Sequence, residues 1–459
     1  MTGLLLHQVE LSDGRRADCR IRDATVKEIG TQLRPFPDEA VVEGRNGAVI
    51  PGLADHHLHL AGMAALATSL DISAVKGDNI ATVLTSAAPG PDGWIRAVGY
   101  DEAHGDIDRE VLDRWRPDVP VRVQHRSGAL WVLNSMGLSR VAAEAAHHPG
   151  IEREASGRLT GKLWRADDWL RGAVTAVEPS LAAIGILLAT YGVTHVSDAT
   201  PGNTHGLVIA DAAARGDLPQ KVQIMASAPG GPLPHRVTLG PRKIVIPDHR
   251  PPDFDSLVEE IAAAHEAARA VALHCVTRTA LAVALAALDT AGGKAGDRIE
   301  HCAVADTAAA RLLAERGIRV ITQPTLFARR GDAYWDRSEP SDRPDLWRYA
   351  GLLRAGVRVA PSSDAPYGDP DPWACLQAAR DRTTSSGLVF GHAERVPTAI
   401  TLRGFLSRLD DPGGLPRRVR PGSAADLVLL DRPFAEVLAE PDASCVRATI
   451  IDGRIVHQR

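Results

Sequence analysis

Helical and β-branched stretches alternate along the second half of the chain, and the junction between them repeats. Residues 181–191 carry the apolar pattern of a helix and run into Gly192-Val193-Thr194-His195-Val196. Residues 308–316 lead in the same way into Gly317-Ile318-Arg319-Val320-Ile321, and residues 346–355 into Gly356-Val357-Arg358-Val359-Ala360. Glycine supplies the left-handed position that ends a helix, and the β-branched run behind it reads as a buried strand. Units of this kind predict a parallel sheet. Strands are predicted at 48–54, 193–197, 221–226, 242–246, 271–274, 298–301, 318–322 and 357–362. Parallel strands in that number, each followed by a helix, predict an α/β fold of the (β/α)8 TIM-like barrel type, with chemistry at the C-terminal strand ends. An open doubly wound sheet is the alternative. Neither Gly-x-Gly-x-x-Gly nor Gly-x-x-x-x-Gly-Lys follows a strand, so nucleotide binding has no support.

Two regions break this rhythm. Residues 66–180 separate the first predicted strand from the second. They hold short strand patterns at 94–98 and 120–124 and five of the eight tryptophans (Trp94, Trp115, Trp131, Trp164, Trp169). They read as an inserted subdomain whose tryptophans more readily form its core than a ligand cage. The ends, 1–46 and 396–459, read as short strands with turns and are expected to pair as one small β domain, leaving 47–395 for the barrel.

Composition narrows the class. A chain of 459 residues with 44% apolar and 24% charged residues is an ordinary globular protein that can bury a large core. A net charge of −5 and the lack of a basic stripe argue against nucleic acid as a partner. No apolar run approaches membrane-spanning length, and the N-terminus lacks the basic and apolar regions of a signal peptide. Five scattered cysteines without a Cys-x-x-Cys fit reduced thiols and a cytoplasmic location. The expected partner is a small-molecule substrate; a homo-oligomer is compatible with the chain.

The chemistry concentrates at strand ends. The first predicted strand runs through Pro51-Gly52 to His57 and His59, which as i and i+2 residues of a strand share a face and can grip one metal ion. The fourth carries Lys243, the fifth ends in His274, the sixth in His301 and the eighth in Asp364. Spacings of 31 residues from Lys243 to His274 and 27 from His274 to His301 each match one βα repeat. All six side chains would therefore gather at one mouth of the barrel. Taken singly, each has a plain structural alternative: a hydrogen-bonded histidine, a surface lysine, a helix cap at Asp364. Their joint placement favours a metal site.

These residues and two motifs carry a resemblance. The opening Pro-Gly-x-x-Asp-x-His-x-His stands as Pro51, Gly52, Asp55, His57 and His59. The closing Pro-Gly-x-x-Ala-Asp-Leu-Val stands as Pro421, Gly422, Ala425, Asp426, Leu427 and Val428. The chain resembles the amidohydrolase superfamily of metal-dependent hydrolases over essentially its full length. It is most similar to the amidohydrolase 3 branch, which includes N-substituted formamide deformylases and has a large insertion after the first strand. Trp131-Val132-Leu133-Asn134-Ser135 and Thr160-Gly161 approximate elements of that insertion. The resemblance implies a barrel capped by a small β-sandwich from both termini. It also implies metal ligation by His57, His59, His274, His301 and Asp364, with Lys243 carboxylated and bridging two ions. Lys162 is the lower-ranked candidate for the bridge. The chain departs from the branch at His274-Cys275-Val276-Thr277-Arg278, at Pro247-Asp248-His249 and at Gly128-Ala129, so substrate-contacting positions differ.

The function expected is hydrolysis of a C–N bond in a small linear or cyclic amide. A divalent metal, zinc foremost, two ions per chain with one as the alternative, lowers the pKa of bound water from about 15.7 toward 7. Asp364 would shuttle the proton from that water to the leaving nitrogen. Gln323, Trp335 in the loop after the seventh strand and Trp131 in the insertion are expected to meet substrate, because loops at that barrel face set specificity. His195 and Asp198 are candidates to support the ligands from behind. The alternatives are an ester, lactone or organophosphate hydrolase on the same site, or a metal-dependent lyase or isomerase. A non-catalytic scaffold is a further class, opposed by the intact ligand set.

Overall fold

The three helix–glycine–strand junctions are present. Helices Ala182–Thr190, Thr307–Glu315 and Tyr349–Arg354 end just before Gly192, Gly317 and Gly356, whose φ angles are 79°, 66° and 88°. A side chain at that φ would be strained, which is why glycine stands at each join. A computed structural model describes every residue except 1–2, 74, 76–78, 102–103, 144–146, 175–179, 203–204, 228–230, 248–251 and 390. Asp248 and His249 thus lie outside the described residues. The chain divides into two compact units, 1–60 with 181–459, and 61–180.

In the larger unit the parallel strands form two sheets. One runs in the order Val237–Leu239, Lys221–Ile224, Val193–Asp198, Leu53–Leu58. The other runs Arg242–Val245, Val271–Cys275, Arg298–His301, Arg319–Thr322, Val359–Pro361. Backbone hydrogen bonds link the two: Lys243 N to Met225 O at 3.0 Å, just past Lys221–Ile224, on one side, and Asp364 N to His57 O and His59 N to Ala365 O, both 2.8 Å, on the other. Helices Phe254–Glu266, Arg278–Ala291 and Thr307–Glu315 cover the second sheet. Their buried leucines and alanines share one apolar core with Ile244, Leu273, Ile299 and Val320. Val237–Leu239 is a strand that the apolar pattern did not announce.

The first predicted strand, 48–54, is divided at Gly52. Val49–Pro51 pairs antiparallel with Leu427–Leu430, whereas Leu53–Leu58 pairs parallel with Val193–Asp198 and carries His57. A Cβ at Gly52 would meet Thr194 at 2.2 Å, so only glycine allows this close crossing. Two four-stranded sheets from the chain ends meet here. Thr25–Gly30, Arg16–Arg22, Gly3–Glu10 and Glu39–Glu43 form one. Arg454–Gln458, Val446–Ile451, Leu427–Leu430 and Val49–Pro51 form the other. Leu4, Leu6, Val9 and Ile21 of the first share a core with Leu427, Leu429, Ala448 and Ile450 of the second.

The unit 61–180 has a six-stranded sheet: Ile151–Arg153, Leu159–Trp164, Leu130–Leu133, Val121–His125, Ile95–Tyr100 and Leu70–Asp71. Trp94 and Trp131 are 2% and 5% exposed in its interior, packed with Leu133, Leu138 and Leu163. Asn134 is fully buried; its carbonyl accepts from Val121 N and Gly137 N, and its amide donates to Arg116 O and Val119 O. This polar pin sits where a hydrophobic residue could not satisfy four backbone groups. No helix among the described residues is long and apolar enough to cross a membrane.

Candidate metal centre

His57, His301 and Asp364 each present a ligand-type atom within 4.8 Å of the others, and all three are buried. His57 Nε2 and His59 Nε2 lie 3.4 and 3.2 Å from Asp364 Oδ1. His274 joins through His301, with ring centroids 4.4 Å apart. Lys243 is 5% exposed, and its Nζ has no hydrogen-bond partner. Burial drives the Lys243 pKa below its ordinary value, and its charge helps depress His57, His274 and His301. The structure therefore brings the six expected side chains together.

The backbone is held out of the common regions at two of these positions. His301 has φ 68° and Asp364 has φ 52°. For residues other than glycine this costs on the order of 1–3 kcal/mol each, a pattern that clusters at functional sites. At His301 it also ends the regular alternation of the strand.

Hydrogen bonds orient the rings, and the carboxylate and amide acceptors hold the protons of His57 and His301. Glu300 accepts from His57 Nδ1, Thr200 Oγ1 lies 3.1 Å from His59 Nδ1, and Gln323 Oε1 lies 2.9 Å from His301 Nδ1. A proton on Nδ1 leaves the lone pair on Nε2. Burial is the main reason that His57 and His301 fall well below the usual histidine range and that His274 falls to about 3, so these rings are neutral. His57 Nε2 thus turns its lone pair toward Asp364 Oδ1, which has no hydrogen-bond partner, and His59 Nε2 lies 3.2 Å from the same oxygen. Lone pairs facing one another at this range repel, and a cation between them removes the repulsion. Imidazole and carboxylate donors of this kind suit zinc and similar divalent ions.

Residues around the cluster hold it in place. Asp55 Oδ1 accepts from His57 N at 3.1 Å and Ser363 N at 3.3 Å, and burial pushes its carboxyl up to about 6. Glu300 is fully buried and is held in turn by Arg298, whose Nε donates to it at 2.6 Å. Sequence reasoning missed Glu300. In a regular strand it would face away from His301, and only the fold shows it meeting His57. Replacing Glu300 by Gln should weaken metal affinity by about 10- to 100-fold while the fold persists. Competition with a chromophoric chelator measures this, and an unchanged affinity would remove Glu300 from the site.

Several expectations need correction. Gln323 is fully buried; its carbonyl meets His301 and its amide donates to Ser362 Oγ at 3.0 Å, so both ends of its amide are taken up by protein partners. Trp131 belongs to the core of the 61–180 unit, with the guanidinium of Arg96 5.3 Å from its ring; burial leaves little of it for a substrate. His195 does not support the cluster. It contacts Thr194 Oγ1 at 2.7 Å and Arg417 at 3.1 Å, toward the starting ends of the strands. Asp198 does stand behind the site: it accepts from Leu60 N at 2.8 Å and Thr200 N at 3.1 Å and so fixes the partner of His59. Trp335 is half-buried beside Leu326, Phe327 and Trp347, with Arg343 5.0 Å from its ring. Lys162 pairs with Asp106 at 2.8 Å in the other unit.

Comparison with known proteins agrees with this geometry. A profile of the amidohydrolase family matches residues 40–457. The N-substituted formamide deformylase of Arthrobacter pascens is 25% identical, the alignment covering 92% of this chain and 91% of that protein. An uncharacterised metal-dependent hydrolase from Pyrococcus horikoshii OT3 shares the fold with a TM-score of 0.76 at 18% identity, over 99% of this chain and 100% of that one. N-isopropylammelide isopropylaminohydrolase from Burkholderia multivorans ATCC 17616 gives a TM-score of 0.58 at 18% identity, over 100% and 99%. With its histidine cluster, its opening and closing motifs and a match over nearly its whole length, the chain belongs to the amidohydrolase family.

Proposed function

We propose that the protein is a metal-dependent hydrolase that cleaves the C–N bond of a small linear or cyclic amide. The observation that carries this is the arrangement at Asp364: an unpartnered carboxylate oxygen faced by Nε2 of His57, whose proton is held on the opposite side of the ring by Glu300, and by Nε2 of His59. Relatives named for deformylase and aminohydrolase activity support the choice of bond. We read the two parallel sheets, without the short extra strand Val237–Leu239, as halves of one (β/α)8 barrel, joined where hydrogen bonds pass between them. The terminal sheets then form a small β-sandwich, and 66–180 an insertion after the first barrel strand.

His57, His59, His274, His301 and Asp364 would hold one or two divalent ions, zinc foremost, with Lys243 as a carboxylated bridge. When bound, such an ion supplies Lewis acidity that polarises a carbonyl and acidifies water. Asp364 takes the proton from the attacking water and returns it to the departing nitrogen, which leaves poorly unless protonated. Glu300 and Gln323 keep His57 and His301 in one tautomer through both transfers, and Thr200 orients the His59 ring. Trp335, half-buried on the helix Pro324–Arg337 that follows Gln323, is the residue we assign to the substrate wall.

Purified protein is expected to contain zinc or a similar ion by elemental analysis, to lose activity on chelation and to regain it when the ion is restored. A panel of formamides, N-acyl amines and cyclic amides, scored by amine or ammonia release, tests the reaction. Turnover confined to esters, lactones or phosphotriesters, or product formed without water addition, would replace the amide reading. Metal-free protein that ignores chelators would remove the metal.

A further inference from the structure

A second cavity, unrelated to the metal centre, opens at the other end of the same strands. It is a half-open groove with about 1180 Å³ of space. Its floor is the start of strand Lys221–Ile224 with Arg236 and Leu239, and its wall is the segment 408–427. His57, His274 and His301 lie at the finishing ends of their strands, so the two sites do not share residues.

The lining is strongly basic. Six Lys or Arg residues face it against Asp410 and Asp426, an excess of four positive charges in a chain whose net charge is −5. Part of that charge is spoken for. Lys221 pairs with Asp426 at 2.6 Å, Arg236 with Asp452 at 2.9 Å, and Arg408 with Asp410 at 2.6 Å. Arg417 is built into the wall: its guanidinium donates to Gly52 O and to Leu406 O. Arg418 and Arg420 are different. Both are exposed, and among the described residues neither guanidinium has an ion-pair or hydrogen-bond partner. Two guanidiniums two residues apart, beside a wall fixed by Arg417, offer two forks for oxyanions. The lining also has an apolar side. Leu415 is 83% exposed and Leu239 40%, which gives a ligand two apolar side chains to cover.

We infer that this cavity is a binding site for a small organic anion, with a phosphate or carboxylate group gripped by Arg418 and Arg420 and an apolar or aromatic body laid over Leu239 and Leu415. The volume is that of a site for a nucleotide-sized molecule rather than a simple ion. Within the cavity, low-dielectric walls and unpaired cations concentrate anions in a way the acidic surface elsewhere does not.

Titration calorimetry on the metal-loaded protein, with AMP and inorganic phosphate as probes, tests the site. AMP should bind, and more tightly than phosphate, because only AMP has a body to cover the leucines. The pair Arg418→Gln and Arg420→Gln should weaken AMP binding by at least roughly tenfold, the loss of about one charge-assisted hydrogen bond. Leu415→Asp should remove the advantage of AMP over phosphate. Exposed arginines outside the cavity serve as the control: Arg16→Gln with Arg311→Gln should leave AMP affinity as it was, and so should His274→Ala in the metal cluster. Absence of AMP binding at millimolar concentration overturns the proposal. So does an equal loss in the control pair, which would mark bulk electrostatics, or a loss only in His274→Ala, which would place the probe on the metal centre. Circular dichroism of each variant confirms that the fold is present.

Discussion

Asp364→Asn is expected to lower turnover by about 10²- to 10⁴-fold with the fold intact. Asparagine preserves the shape and the backbone bond from residue 364 N to His57 O, at 2.8 Å. It cannot hold a proton between water and the leaving nitrogen. It also turns an amide where an unpartnered carboxylate oxygen now meets His57 and His59 at 3.4 and 3.2 Å. The two effects separate experimentally. A lost proton shuttle lowers kcat with metal content unchanged, whereas a lost ligand lowers the metal content itself. Elemental analysis beside kcat therefore reads both. A variant retaining most of its kcat would rule out Asp364 as the shuttle.

Lys243→Ala should lose one metal equivalent and most of the activity, and short carboxylic acids should restore part of both. An ordinary lysine is a cation with a pKa of about 10.4 and would repel metal ions. At 5% exposure, with no hydrogen-bond partner for Nζ, an ammonium here has neither water nor a contact acceptor to offset its desolvation. The neutral amine can add CO₂ and become an anion with two oxygens, able to hold two ions. Added acetate or propionate would mimic those oxygens in the space the side chain leaves. Full metal content and activity in Lys243→Ala would refute the bridge. Loss of the fold alone would show as altered circular dichroism without chemical rescue.

Much of the site was legible because strand-end chemistry is local. His57 and His59 share a face through the two-residue period of a strand, and His274, His301 and Asp364 each stand at the end of a short strand preceded by a helix. Glu300 was not legible. Its neighbour His301 has φ 68°, which breaks the alternation that would have sent the two side chains to opposite faces. Gln323 was noticed for its place, but its hydrogen-bond partners were not legible. Its amide is consumed by His301 and Ser362, a pairing that depends on the contact between adjacent strands rather than on any pattern along one.

The same division runs through the fold. Hydrophobic periodicity and the glycine at each helix end determined the strands, their parallel sense and the order in which they follow one another, because those rest on interactions within a few residues. The split of 48–54 at Gly52 came from a crossing with Thr194, more than a hundred residues away in sequence. The burial of Trp131 came from strand pairing inside the 61–180 unit. The basic cavity was invisible for the same reason: Lys221 and Arg236 are distant in sequence from the arginines at 408–420, and it is packing that sets them around one space. Side-chain chemistry is written along the chain, but which lone pair, charge or ring a side chain meets is set by contacts that only the folded chain makes.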